Sequence, residues 1–325
     1  MKIYNAVLLL SLMLILIVVS SCSPSNEGLV TPTSTISVLA TSTKMPTHTF
    51  APLPPNTPTP VSTPTMVPTL PVDQAQARFL QLLSNNGECR LPCIWGITPG
   101  ETTYQDARAI LSPLSSLSDT VHLDTPVVGD ISLRYREGDL EIYTRVAFLT
   151  DPESHIVNRV GFNTEAHRPL DESGYEDILD SKFFGDKIRA YTLPKILSEL
   201  GIPESVMIST LGAPFTRSGT GGFELLLLYP NQGILINYTT QMALDGKKVR
   251  GCLTNAHVQM DLHPPGEPAS FSKSLQETDW AVKLDGYKPI EEVTSMSVQE
   301  FYETYRTSTD KCIETPAEDW PIPEP

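Results

Sequence analysis

Three groups of residues in this chain have types and spacing that could do chemistry. They are four cysteines (Cys89, Cys93, Cys252 and Cys312), the trio His257, Asp261 and His263, and the tetrad Ser270-Phe-Ser-Lys273. Thiolates exchange disulfides or hold zinc, but Cys89 and Cys93 are one residue too far apart for a Cys-x-x-Cys redox motif, and no βαβ pattern surrounds them. Zinc would need a second close cysteine pair, and Cys252 and Cys312 are distant in sequence, so structural disulfides are the expected use of all four. His257, Asp261 and His263 share parity, so on one strand they face the same side, as metal ligands must. A solvated strand face explains the same spacing, and no metal or other cofactor is expected. Ser270 and Lys273 spell the nucleophile pattern of penicillin-binding enzymes without its Ser-Asp-Asn and Lys-Thr-Gly companions, so chance accounts for them. Gly219-Thr-Gly-Gly222 lacks the Gly-Lys-Ser/Thr end of a phosphate loop and reads as a hairpin tip. The acid pairs Asp171-Glu172, Glu176-Asp177 and Glu291-Glu292 lie in polar connections and read as solvated surface rather than a glycosidase pair. Trp95, between Cys93 and Gly96, reads as a core ring packed on a disulfide. No complete catalytic constellation is among these motifs, and a non-enzymatic role is expected.

The segment that says where the protein works is the first 22 residues: Lys2, an apolar run of fourteen from Ala6 to Val19, then Ser20-Ser21-Cys22. Such a run is too short to span a bilayer, which takes roughly twenty residues, and matches the apolar region of an export signal. Here the chain resembles the bacterial lipoprotein signal class, with Val19 and Ser21 as departures from the usual lipobox. The resemblance implies that Cys22 is diacylated on sulfur and that cleavage before it makes it the mature N-terminus. It also implies a location on the extracytoplasmic face of the cell membrane. Acyl chains give stable anchoring, since each buried methylene contributes about 0.8 kcal/mol.

Composition narrows the partners. The formal charge is −15, and loss of a signal whose only charge is Lys2 makes it −16. That balance repels phosphate backbones and anionic headgroups, so nucleic acid is excluded and membrane attachment falls to the lipid. From Thr31 to Pro71, ten prolines and twelve threonines in 41 residues leave nothing to build a core. Proline favours extended polyproline II at about 3.1 Å per residue, so the tract reads as a stalk reaching on the order of 100 Å.

Beyond the stalk the pattern alternates helix and strands. Asp73 with Gln76 is set to cap a helix that stops at Asn86-Gly87, and Thr103 with Asp106 a second that stops at Pro113. Strands follow at Ile131–Tyr135, Leu140–Leu149 and Ile156–Phe162, then an acidic connection from Asp171 to Asp186. A third helix, Thr192 to Leu200, ends at Gly201-Ile-Pro203, and a second meander runs through Ser205–Leu211, Phe223–Tyr229, Ile234–Thr240, Val249–Leu253 and His257–Leu262. Ser297 with Glu300 caps a last helix. The fold class is α+β, with antiparallel sheets, short helices on one face, and two similar α/β-meander subdomains from an internal duplication. The segment Gly96-Ile-Thr-Pro-Gly-Glu-Thr-Thr103 and the stop at Leu200-Gly-Ile-Pro203 are similar to small envelope lipoproteins of the BamE/OmlA type. That likeness covers two short turns and implies a role in assembling outer-membrane proteins. The segment from Cys89 to Gly100 also looks like one in uncharacterised bacterial lipoproteins, which implies no activity.

The expected organisation is a signal at 1–21, a lipidated, disordered stalk at 22–72, an ectodomain at 73–312 with subdomains 73–170 and 187–312, and a disordered tail at 313–325. Of three pairings open to four cysteines, Cys89–Cys93 is favoured because a four-residue turn closes it locally, and Cys252–Cys312 follows by elimination. The expected function is non-enzymatic: a lipid-anchored ectodomain that binds an envelope or extracellular protein or glycan. An extracytoplasmic hydrolase and a solute-binding lipoprotein are the alternatives.

Overall fold

Val72–Asn85 forms α1 because apolar side chains recur at helical spacing and bring Ala75, Phe79, Leu82 and Leu83 to one buried face. The computed structural model describes residues 68–170, 174–211, 221–266, 286–308 and 311–320. The expected cap at Asp73 is not used. Pro71 occupies the N-cap position with φ −52° and ψ 148°, so the helix starts before Asp73, which sits in the first turn. α2 is Tyr104–Leu111, and Thr103 accepts a hydrogen bond from the Asp106 backbone as expected.

Four strands follow: β1 (Ser118–His122), β2 (Val128–Glu137), β3 (Leu140–Thr150) and β4 (Val157–Pro169). The stretch expected to be a plain acidic connection instead holds β5 (Tyr175–Asp177) and α3 (Lys182–Lys187). Ser181 caps α3, and Phe184 anchors it in the core. Next come α4 (Leu193–Leu200), β6 (Ser205–Leu211), β7 (Gly222–Tyr229), β8 (Ile234–Asp245), β9 (Lys248–Cys252) and β10 (His257–Leu262). Gly201 ends α4 with φ 82°, a conformation that glycine adopts without strain. The chain closes with β11 (Lys288–Pro289), α5 (Ile290–Val293), α6 (Val298–Tyr305) and β12 (Cys312–Pro316). A capping box of Ser297 and Glu300 starts α6. The tail expected to be disordered from 313 is folded up to Trp320: β12 pairs with β9, and the Trp320 indole donates to Thr315 Oγ1 at 2.7 Å.

The strands build one antiparallel sheet in the order β1-β2-β3-β4-β10-β8-β7-β6-β11. The two meanders therefore meet edge to edge, β4 against β10, instead of forming separate sheets. Strand alternation sorts the faces. Val146, Phe162, Met260, Ile236 and Leu225 point inward and share one core with buried residues of the helices α1 to α6 described here. Thr144 and Thr164 face each other in that core across the β3–β4 register and bond through their hydroxyls at 2.8 Å. Among the described residues no helix is long and apolar enough to cross a membrane.

Both expected disulfides are present. Cys89–Cys93 closes a local turn with Cα atoms 5.8 Å apart, and Cys252–Cys312 bridges directly paired residues of β9 and β12 at 4.2 Å. Between the first bridge and α1 lies Asn86, left-handed at φ 55° and buried. Its Nδ2 donates to the carbonyls of Cys89 and Cys93, both at 2.9 Å. Its Oδ1 accepts from the Trp95 backbone N–H and from the Tyr191 hydroxyl, both at 3.1 Å.

Two predictions follow from these contacts. Asn86→Ala takes the partner from three polar groups, the carbonyls of Cys89 and Cys93 and the Trp95 N–H, while the Tyr191 hydroxyl keeps the Leu82 carbonyl; at about 1–3 kcal/mol for each group left unsatisfied, urea denaturation should show a loss of about 3 kcal/mol or more. A loss under about 1 kcal/mol would contradict the role given to Asn86. In the chain-entropy model the long bridge contributes about 4 kcal/mol and the short one about 2. Cys252→Ser should therefore lower the melting temperature more than Cys89→Ser, and equal or reversed effects would count against that ordering.

Candidate functional site

The sheet face opposite the core is polar, and most of its charge is matched along the strands. Arg145 reaches across from β3 to Asp130 on β2 at 2.6 Å, and Glu141 takes Arg134 and Arg136 at 2.6 and 3.1 Å. Near the middle, Arg159 of β4 and Asp261 of β10 make a buried two-bond pair, Nε to Oδ1 at 2.7 Å and Nη2 to Oδ2 at 2.5 Å. Burial works to raise the Asp261 carboxyl, but the bonds from His263 and Arg159 hold it below the usual carboxylate range.

Where the two meanders join, the same face opens into a cleft of about 320 Å³ whose lining includes Glu165, Tyr175, Asp177, Glu224, His257 and Gln259. Registers explain the gathering. Thr239 pairs with both His257 and Glu224, and Glu165 lies one step past the Val258–Thr164 pair, so all four stand in one row on one face. β5 pairs with the end of β4 and sets Asp177 directly opposite His167.

His167 is the most confined group here. Its ring lies between those of Tyr143 and Tyr175, with centroids at 5.6 and 4.1 Å and planes within 18° and 17° of parallel. Nε2 lies 2.7 Å from Glu165 Oε2 and 3.4 Å from Asp177 Oδ1, while Nδ1 is buried without a hydrogen-bond partner among the described residues. The Asn163 amide donates to the other oxygen of Glu165. Burial pushes Glu165 up, yet His167, the charge of His257 and Asn163 together hold it below the ordinary glutamate value. Asp177 is raised, first by burial and then by the negative charge of Glu165. At the other end of the row, burial raises Glu224 against the bonds from Tyr287, Asn237 and Thr239.

The sequence-derived candidates fare unevenly. His257 and Asp261 do share a face, but Arg159 occupies Asp261, and His257 turns its Nε2 to the Ala166 N–H at 3.0 Å, so the trio is not a ligand set. Ser270, Lys273, Asp171, Glu172 and Cys22 lie outside the described residues. Glu291 and Glu292 are exposed in the first turn of α5. The pair Glu176-Asp177 divides: Glu176 meets Arg168 at 2.9 Å, while Asp177 faces the cleft. Trp95 is core, as expected, edge-on to both Phe79 and Phe162.

Glu165 and His167 were not anticipated, because the expected strand ended at Phe162 whereas β4 continues to Pro169. The continuing alternation of Asn163, Glu165 and His167 is the signal that would have found them. A second groove, of about 890 Å³ beside β9 and β12, has as its main charged contact the exposed pair Lys248–Glu314, a weak surface interaction. No family model, curated protein or solved structure matches the chain.

Burial lowers the pKa of His257 to about 4, against the raising effect of Glu165 and the Ile178 carbonyl. Below pH about 6.5 the unfolded chain therefore takes up a proton that the folded chain refuses. Stability should fall by on the order of 1 kcal/mol per pH unit from about 6.5 to about 4. Asp261, held low, adds its own loss only at more acid pH. His257→Gln removes the titration and should flatten the urea midpoint between pH 6.5 and 4.5. An unchanged slope in that variant would show that His257 is not responsible.

Proposed function

We propose that this protein is a binding module displayed outside the cytoplasm, anchored by lipid on Cys22, carried on the Pro/Thr-rich stalk, and presenting the seam cleft to its ligand. The observation that carries this reading is the pair of disulfides in the folded domain, Cys89–Cys93 and Cys252–Cys312. Such bridges persist in oxidising compartments, and the chain opens with an export-type segment ending in Cys22. Binding is favoured over hydrolysis by the use made of His257. Its Nε2 is engaged by the backbone, 3.0 Å from the Ala166 nitrogen and 3.1 Å from the Ile178 carbonyl oxygen, rather than free to act as a general base.

The two meanders are also read as duplicated halves. The order β1-β2-β3-β4 from one edge is answered by β6-β7-β8-β10 running in from beside β11 at the other, each preceded by a short helix, and the last strand of each run meets its counterpart at the seam.

Mass spectrometry of the protein extracted from membranes tests the anchor. The expected mature N-terminus is Cys22 carrying acyl mass, and any other N-terminus, or an unacylated one, would refute the proposal. Limited proteolysis should remove the segment Thr57–Thr65 first and leave a core carrying both bridges.

A further inference from the structure

We propose that Glu165, His167 and Asp177 form a binding site for one divalent transition-metal ion, at the wall of the seam cleft, with its open coordination positions facing the cleft. This deepens the reading of the cleft as a ligand site and does not depend on the lipid anchor. One ligand-type atom from each residue lies within 4.8 Å of the other two. For an ion bound at about 2.0–2.1 Å in tetrahedral geometry, neighbouring ligand atoms stand about 3.3 Å apart. His167 Nε2 and Asp177 Oδ1 already stand at 3.4 Å, and Nε2 and Glu165 Oε2, at 2.7 Å, need to part by about half an ångström as the ion replaces the bridging proton.

The three side chains are held by strands rather than by a loop, which fixes them more closely. Glu165 and His167 are alternate residues on one face of β4, and Asp177 is paired across from His167 on β5. The rings of Tyr143 and Tyr175 clamp the imidazole, the Asn163 amide holds Glu165, and the Ile178 N–H bond to the Ala166 carbonyl at 2.9 Å pins the chain just after Asp177. One hydrogen on Nε2 can serve Glu165, at 2.7 Å, but not Asp177 as well, whereas an ion on Nε2 reaches both carboxylates.

Charge and donor chemistry select the ion. Two carboxylates neutralise a dication, and no lysine or arginine is among the described residues lining the cleft. Imidazole with carboxylate oxygens suits Zn²⁺ or Mn²⁺ over Ca²⁺ or Mg²⁺, which prefer all-oxygen shells. Nδ1 lacks the acceptor that usually supports a ligating histidine, a deficit worth about 10–100-fold in affinity. The site should therefore bind more weakly than one whose histidine is so supported.

The test uses full-length protein in detergent, freed of metal by a chelator and titrated with Zn²⁺ by calorimetry and with Co²⁺ by visible absorption. The expected result is one ion per chain, a Co²⁺ ligand-field band, and at least tenfold weaker binding in Asp177→Asn and in Glu165→Gln. Glu291→Gln, on the exposed first turn of α5, should bind as the parent does. His167→Phe keeps the ring stack and should lose the band; should it fail to fold, the two carboxylate variants decide. Absence of binding below millimolar Zn²⁺, affinity unchanged in both carboxylate variants, or Ca²⁺ bound as tightly as Zn²⁺ would each overturn the site. An acylated Cys22 with no metal bound would leave the display reading standing and remove only this one.

Discussion

Asn86 ends α1 in a left-handed turn and spends both ends of its amide on other parts of the chain. Asparagine tolerates that backbone conformation better than most residues, and its side chain has both donors and an acceptor to offer, so few replacements could do both jobs. Through Nδ2 it holds the carbonyls at both ends of the Cys89–Cys93 turn; through Oδ1 it holds Trp95 and Tyr191. The Tyr191 hydroxyl in turn accepts the Trp95 indole N–H at 2.8 Å, and the Tyr238 hydroxyl donates to the Tyr191 carbonyl at 3.0 Å. One buried amide thus ties the first helix, the disulfide turn and the helical side of the second meander into a shared core. Inside that core each of these groups would be costly if left alone, which is why the network is closed.

This closure explains how a polar sheet face is tolerated on the other side. With the helices and the Asn86 network covering one face, the opposite face need not be apolar, and the chain fills it with ion pairs running along and across strands. The central pair, Arg159 with Asp261, spans the β4–β10 seam and is buried with both carboxylate oxygens used. A buried pair of that kind is weak evidence of stability, because desolvation offsets much of the attraction. It does discriminate: a one-residue slip between β4 and β10 would separate the charges and turn the slipped strand's core residue, Phe162 or Met260, to the other face. The pair therefore helps fix the register that also aligns Glu165 with His257, Thr239 and Glu224.

Much of the fold was legible because its signals are local. Thr103 with Asp106, Ser297 with Glu300, and Gly201 mark helix ends, and alternation located the long strands, with Ser205–Leu211 and His257–Leu262 matching at both ends. Of the disulfides, Cys89–Cys93 was legible from local closure of a short turn and Cys252–Cys312 by elimination. What escaped depends on distant partners. β12 is a strand only because β9 is there to pair with it, and β5 only because β4 runs past Phe162. A three-residue strand carries too little pattern to show itself. The histidine site was missed for the same reason, since Asp177 becomes a neighbour of His167 through pairing and not through spacing. The parity argument placed His257 and Asp261 on one face correctly but could not see that Arg159 and Ala166 already occupy them.

The distribution of charge on the outer face separates structure from site. Away from the cleft, arginines meet carboxylates one for one or two for one: Arg145 with Asp130, Arg134 and Arg136 with Glu141, Arg168 with Glu176 and Asp139. At the cleft the sense reverses. Glu165, Asp177 and Glu224 face an opening with no arginine or lysine among its described lining residues, and burial raises both Asp177 and Glu224. At this part of the seam, beside the Arg159–Asp261 pair, the carboxylates are held by histidine and by neutral donors: Glu165 by His167 and Asn163, and Glu224 by Tyr287 and Asn237. Burying such carboxylates costs stability, and the ion proposed at Glu165, His167 and Asp177 would offset that cost.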